Sequence, residues 1–240
     1  MRFLEGSKYT DTMIIAKDIV KTFKSGEKEL SVLKGISFEV KSGEFLSITG
    51  RSGSGKSTLM YQLGLLDVPT SGKVIIDGKD VSDLSTDERT WVRLSDLGYI
   101  FQDYALIPEL TALENVLIPL MMLGLTLKDA EAKAVKGLER IGLGERLGNV
   151  PSQLSGGEQQ RVSIARAIAH EPKIVFADEP TANLDSETSK VVLQNFIELN
   201  REGQTILMVT HEPEYAALTD RIITLSDGMI VSDTINKNKR

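Results

Sequence analysis

The chain has 240 residues, enough for one large domain or two small ones, and its 41% hydrophobic content supports a buried core, which excludes disorder throughout. Acids outnumber bases 34 to 28, a formal charge of −6 that argues against a protein gripping nucleic acid through a basic face. Cysteine is absent, so a disulfide framework, a thiolate metal site and a cysteine nucleophile are all excluded, and two histidines leave little for a His-rich metal cluster.

From the start, Met1 to Met13 mix Arg2, Glu5, Lys8 and Asp11 with no apolar run, so this segment does not read as a signal peptide and a cytoplasmic location is expected. Met13–Val20 and Ile36–Val40 read as strands separated by a loop at Lys24, Ser25, Gly26 and Glu27, an antiparallel start. Glu44–Thr49 reads as a buried strand running into a glycine-rich turn. Lys56–Leu66 follows with helical spacing that places Leu59, Leu63 and Leu66 on one side. Lys73–Asp77, closed by Gly78, and Gly98–Phe101, ending at Gln102, are two further strands. Between Tyr104 and Asn149 the texture turns helical, with Thr111–Met122 and Lys128–Ile141 broken by Gly124 and by Gly142, Gly144 and Gly148. The most apolar stretch, Val116–Leu127, is interrupted by Pro119 and Gly124 and falls short of the ~18 apolar residues that cross a bilayer. Membrane contact is therefore expected only through a partner. Alternation resumes with strand Ile174–Ala177, helix Ser186–Asn200, strand Thr205–Val209 and strand Arg221–Leu225 before a turn at Asp227 and Gly228. This pattern predicts an α/β fold with a mainly parallel sheet. A short basic tail carries Lys237, Lys239 and Arg240.

Gly50–Ser57, reading Gly-Arg-Ser-Gly-Ser-Gly-Lys-Ser, fits the G-x-x-x-x-G-K-[ST] phosphate loop and lies between a predicted strand and a predicted helix, as that loop requires. Glycines let backbone N–H groups turn inward around phosphate oxygens, and the helix N-terminus adds about half a positive charge. Lys56 would bridge the outer phosphates, Ser57 would ligate Mg²⁺ and Thr58 would donate to an inner phosphate. Four strands end in polar groups able to handle a nucleotide: Thr49, Gln102, the pair Asp178 and Glu179, and His211. In open α/β sheets ligands bind beyond the carboxyl ends of strands, so the four are expected to converge. Asp178 would face Mg²⁺ while Glu179 points to an attacking water; the plainer alternative is a pair of acids capping a strand. His211 would reach a γ-phosphate or the water, or simply cap its strand.

Leu154-Ser155-Gly156-Gly157-Glu158 opens a helix-like stretch and contains the Ser-x-x-Glu of a capping box. Its paired glycines also expose backbone donors at a helix start, a second anion half-site that makes sense if two copies pair and each lends it to the other's nucleotide.

Taken together, the phosphate loop, the run Leu154–Arg161 and the carboxylates Asp178 and Glu179, in this order, resemble the ATP-binding subunit of an ATP-binding-cassette (ABC) transporter over nearly all of Met13–Asp233. The resemblance implies a P-loop NTPase fold, with a RecA-like parallel sheet core, an antiparallel β subdomain and a helical subdomain. It divides the chain into 1–103 and 161–240 as the two parts of the ATP-binding core and 104–160 as the helical subdomain leading into the signature motif. It implies an ATP hydrolase using ATP and Mg²⁺, with Glu179, His211, Gln102 and Lys56 as catalytic residues. Gln102 becomes the Q-loop glutamine that senses Mg²⁺ and water, Asp185 the D-loop aspartate and Phe23 the ring stacked on adenine. Arg51, Ser52, Gly53, Ser54, Gly55, Lys56, Ser57 and Thr58 would hold the nucleotide, Ser155, Gly156, Gly157 and Glu158 would meet it from the partner copy, and Ser57, Gln102 and Asp178 would hold the metal. Arg51 departs from the family, where proline or another small residue is common.

Leu106-Ile107-Pro108 with Leu110–Val116 and Pro119 is similar to the ATPases of macrolide-export, lipoprotein-release and cell-division complexes. The implied partners are an integral membrane subunit and, on ATP binding, a second copy, without nucleic acid, at the inner face of the cell membrane. Two alternatives remain open: a regulatory module of a cell-division or cell-wall complex, and a soluble ABC ATPase outside transport. A small-molecule kinase would share the phosphate loop but have no use for Leu154–Arg161.

Overall fold

The computed structural model of the chain describes residues 11–26 and 28–236. Glu27 and the basic tail at Lys237, Lys239 and Arg240 lie outside them, as does most of the first dozen residues. In chain order the strands are β1 (Thr12–Ser25), β2 (Lys28–Lys41), β3 (Phe45–Gly50), β4 (Ser71–Ile76), β5 (Lys79–Asp80), β6 (Leu97–Ile100), β7 (Ile174–Asp178), β8 (Thr205–Val209), β9 (Arg221–Ser226) and β10 (Met229–Ile235). The helices are α1 (Lys56–Leu63), α2 (Thr86–Asp96), α3 (Ala112–Met122), α4 (Leu127–Arg140), α5 (Gly156–Ile168), α6 (Ser186–Arg201) and α7 (Pro213–Ala216).

Two sheets result. The first is antiparallel, in the order β2-β1-β4-β5. The second has the order β10-β9-β3-β8-β7-β6, and its ladders β3–β8, β3–β9, β7–β8 and β6–β7 are all parallel, with only β10 running against β9. Strands β7 and β8 are buried along their whole length, which is why Ile174–Ala177 and Thr205–Val209 read as unbroken apolar runs and not as alternations. Side chains on successive residues point to opposite faces. Phe45, Val175, Ala177, Ile206 and Met208 meet α3, α4, α5 and α6 on one side. Leu46, Ile48, Ile174, Phe176, Leu207 and Val209 meet α1 and the antiparallel sheet on the other.

The structure corrects several sequence expectations. The hairpin is longer than predicted: Lys24 and Ser25 belong to β1, not to a loop, and pair with Glu29 and Lys28. Helix α1 ends at Leu63, one turn early, because Gly64 closes it and Leu65 takes a left-handed φ of 59°; Leu66 consequently turns outward, 41% exposed, and does not share the face of Leu59 and Leu63. Helix α2 was not expected; its signal is the capping box formed by Ser85 and Glu88. Short α7 and strand β10 also went unread. Helix α5 runs unbroken across residue 160 and packs on β6, α3 and α4.

Candidate nucleotide site

At the end of β3, Gly50 adopts a φ of 142°, and a Cβ there would stand 2.3 Å from the Leu225 carbonyl oxygen, so only glycine fits where the strand leaves the sheet. The loop then climbs to Gly55, which caps α1 with a φ of 100°, and the first turn of that helix carries no acidic residue that would compete for an anion. Lys56 is buried and folds back over the loop, donating to the carbonyls of Gly50 at 3.0 Å and Arg51 at 3.2 Å. The loop thus carries its own cation at the helix start.

A cavity of about 630 Å³ opens there, within the size range of small-ligand sites. Its lining includes Thr49, Gly50, Arg51, Ser52 and Lys56 from the loop together with Gln102, Glu179 and His211. The ends of β3, β6, β7 and β8 therefore do converge, as the parallel topology requires. Glu179 holds a left-handed φ of 47°, an uncommon state for a non-glycine residue, and its backbone N–H donates to the Val209 carbonyl at 2.9 Å. Its Oε2 lies 2.5 Å from His211 Nδ1, and His211 Nε2 lies 3.2 Å from Glu212 Oε1. The imidazole is thus set between two carboxylates on the cavity rim.

Asp178 sits one residue deeper. Its Oδ1 accepts from the Ser57 hydroxyl at 2.9 Å and its Oδ2 from the Tyr61 hydroxyl at 3.1 Å. Burial raises its carboxyl above the usual aspartate range, partly countered by those two donors. Tyr61, pushed up to about 12 by burial and by the Asp178 charge, stays a protonated donor. Beside it a second cleft of about 350 Å³ is lined by Tyr61, Phe101, Gln102, Asp103, Asp178 and Asn183. The Ser57 hydroxyl and the Asp178 carboxylate form an oxygen-only donor set of the kind that suits a hard cation shared with phosphates. Among the described residues no cluster of three or more His, Cys, Asp or Glu side chains could hold a metal alone.

The remaining candidates lie elsewhere. Ser155 caps α5, accepting from the Glu158 N–H at 3.3 Å while its own N–H donates to Glu158 Oε2 at 2.9 Å, and Glu158 also pairs with Arg146 at 3.0 Å. The capping-box reading of this motif holds in the structure. Gly157 has a further reason of its own: a Cβ there would stand 2.1 Å from Thr188 Cγ2. Asp185 caps α6, accepting from the Glu187 and Thr188 N–H groups and the Thr188 hydroxyl. Phe23 is 44% exposed on β1, with the Lys21 ammonium 5.0 Å from its ring centre. Of the loop residues, Gly53, Ser54, Gly55, Ser57 and Thr58 do not line the main cavity, and Asp178 lines the second cleft. Tyr61 is the site residue that sequence reasoning missed.

The ABC transporter family profile matches residues 33–182, which spans the loop, the run Leu154–Arg161 and both carboxylates. The chain belongs to the ABC transporter family. As a member it is an ATP-binding and ATP-hydrolysing cassette. The lipoprotein-releasing system ATP-binding protein LolD of Aquifex aeolicus (strain VF5) is 51% identical over 218 residues, covering 91% of this chain and 96% of that protein. The macrolide export ATP-binding/permease protein MacB of Syntrophobacter fumaroxidans (strain DSM 10017 / MPOB) is 50% identical over 221 residues, 91% of this chain, and this ABC cassette spans 31% of that relative's length. Among solved structures, a dimeric post-hydrolysis state of the ATP-binding cassette MJ0796 bound to ADP and Pi superposes with a TM-score of 0.88 at 43% identity, covering 94% of this chain and all of that one. Among the described residues, no helix of this ABC cassette is long and apolar enough to cross a membrane.

Proposed function

We propose that this cassette hydrolyses MgATP at a seam between two copies and so drives an integral membrane subunit from the inner face of the cell membrane, in a system of the lipoprotein-release or macrolide-export kind. The observation that carries the reading is the meeting of Lys56, Gln102, Glu179 and His211 on one cavity at the carboxyl ends of four neighbouring strands. Lys56, with the backbone N–H groups of Arg51–Gly55, would cradle the outer phosphates, and Ser57, Gln102 and Asp178 would hold Mg²⁺. That cation supplies charge neutralisation at the phosphate oxygens. Glu179 would accept a proton from the attacking water, and His211, 2.5 Å away, would orient that carboxylate and meet the γ-phosphate. Phe23 would stack on the base. Ser155, Gly156 and Gly157 of the second copy would close over the nucleotide, a reading supported by the dimeric form of the MJ0796 cassette. Kinship with the LolD and MacB proteins supports the membrane partner. In this arrangement Glu158 and Asp185 act through their caps, fixing the start of α5 and of α6.

The test is Glu179→Gln, which keeps size and hydrogen bonding but removes the basic oxygen. ATP turnover should fall by at least ~10²-fold, the usual scale of a general base, with nucleotide binding retained. Turnover at the native rate would overturn the assignment.

A further inference from the structure

The reaction as proposed makes no use of one hydroxyl. Tyr61 and Ser57 are four residues apart on α1 and so share a helix face. A carboxylate only accepts, so both hydroxyls must donate, one to each oxygen of Asp178, at 3.1 Å and 2.9 Å. Two donors on opposite oxygens fix both the plane and the rotation of the carboxylate, whereas one would leave it free to pivot. The Ser57 oxygen keeps its lone pairs while its proton is committed to Oδ1. Tyr61, Asp178 and Gln102 line one cleft, so the bond from the Tyr61 hydroxyl to Oδ2 is made at its wall.

We propose that Tyr61 is a positioning residue for the metal-facing carboxylate: its hydroxyl ties down Oδ2 of Asp178 so that Oδ1, beside Ser57, is the oxygen presented to Mg²⁺. This rests on the reading of Asp178 as the carboxylate that faces the metal. Groups that orient metal ligands without touching the metal are commonly worth about 10-fold or more in affinity.

The full chain is purified as wild type, Tyr61→Phe and Asp178→Asn, its folding checked by thermal melting, and each is titrated with a fluorescent ATP analogue in chelator and across a series of Mg²⁺ concentrations. Tyr61→Phe keeps the ring and removes one oxygen. It should raise the Mg²⁺ concentration that half-maximally tightens nucleotide binding by about 10-fold, leaving affinity in chelator unchanged; Asp178→Asn should abolish the Mg²⁺ response. If Tyr61→Phe keeps the wild-type Mg²⁺ midpoint while Asp178→Asn loses its response, the positioning role is overturned and the reading of Asp178 stands. Equal weakening with and without Mg²⁺ would make Tyr61 a packing residue and likewise overturn it. An intact Mg²⁺ response in Asp178→Asn would remove the underlying reading and the proposal with it.

Discussion

Lys56 shows what a single side chain can be asked to do in this loop. Its ammonium is withdrawn from solvent and held by two carbonyls of the loop it closes, 3.0 Å and 3.2 Å away, so its position is set by the loop itself. Triphosphate oxygens would offer the same ammonium stronger, charge-assisted partners at the helix start. Because those contacts are already made to the bound substrate, Lys56→Ala should weaken ATP binding by at least about 10-fold, measured by equilibrium titration, and not only slow turnover. Normal affinity in that variant would count against the phosphate-loop assignment. The loop was legible from sequence because every residue it needs lies within eight consecutive positions. Tyr61 was not, because its partner Asp178 is 117 residues away and nothing in the neighbourhood of Tyr61 announces the contact. Glu158 was readable in the Ser-x-x-Glu of a capping box, and Asp185 only through the family resemblance; the structure makes the first a partner of the Ser155 cap and the second the cap of α6.

Among the elements, the helix that follows the apolar loop is fixed by one buried amide. Asn115, 3% exposed on α3, accepts from the Ile107 N–H at 2.8 Å and donates to the carbonyls of Ile107, Leu110 and Thr111 at 3.2, 3.0 and 3.0 Å. It thereby replaces water for the backbone of the turn that precedes the helix. Asn115→Ala would leave those groups buried without partners, a loss of about 1–3 kcal/mol in a denaturant titration. An unchanged midpoint would mean that the turn finds other donors. The same segment explains what could be read locally: β7, β8, α3, α4 and α6 were found within one residue of their ends, because buried strands are continuous apolar runs and these helices open on Thr111, Thr126 and Asp185 caps. Apart from the helices α2 and α7, the elements that escaped are strands held by a partner strand. The far half of the hairpin β1–β2 carries polar and charged residues, with Lys24 facing Glu29 in an exposed ion pair, and β10 is mostly exposed and held by β9. The early end of α1 followed from Gly64, whose Cβ position is closed by the Tyr99 ring at 3.0 Å.

For the molecule as a whole, the geometry divides the nucleotide machinery in two. Lys56, Gln102, Glu179 and His211 face one cavity, with Asp178 on the adjoining cleft, while Ser155, Gly156 and Gly157 stand at the start of α5 and take no part in lining either. On the proposed reading, a chain so divided would complete its site by meeting another copy. With Glu179→Gln to stop turnover, saturating MgATP should therefore shift the chain from monomer to dimer in light scattering, and chelation of Mg²⁺ should reverse it; a persistent monomer, in solution and with its membrane partner, would refute a shared site. How such a pair would move is constrained by the place where Gly157 meets Thr188. The missing Cβ lets two helix starts nest, and Thr188 is itself tied to Asp185 by its N–H and its hydroxyl. The glycine turn and the aspartate loop are in this way splined together. On the proposed reading, a tilt of either helix start at the seam would press directly on the other.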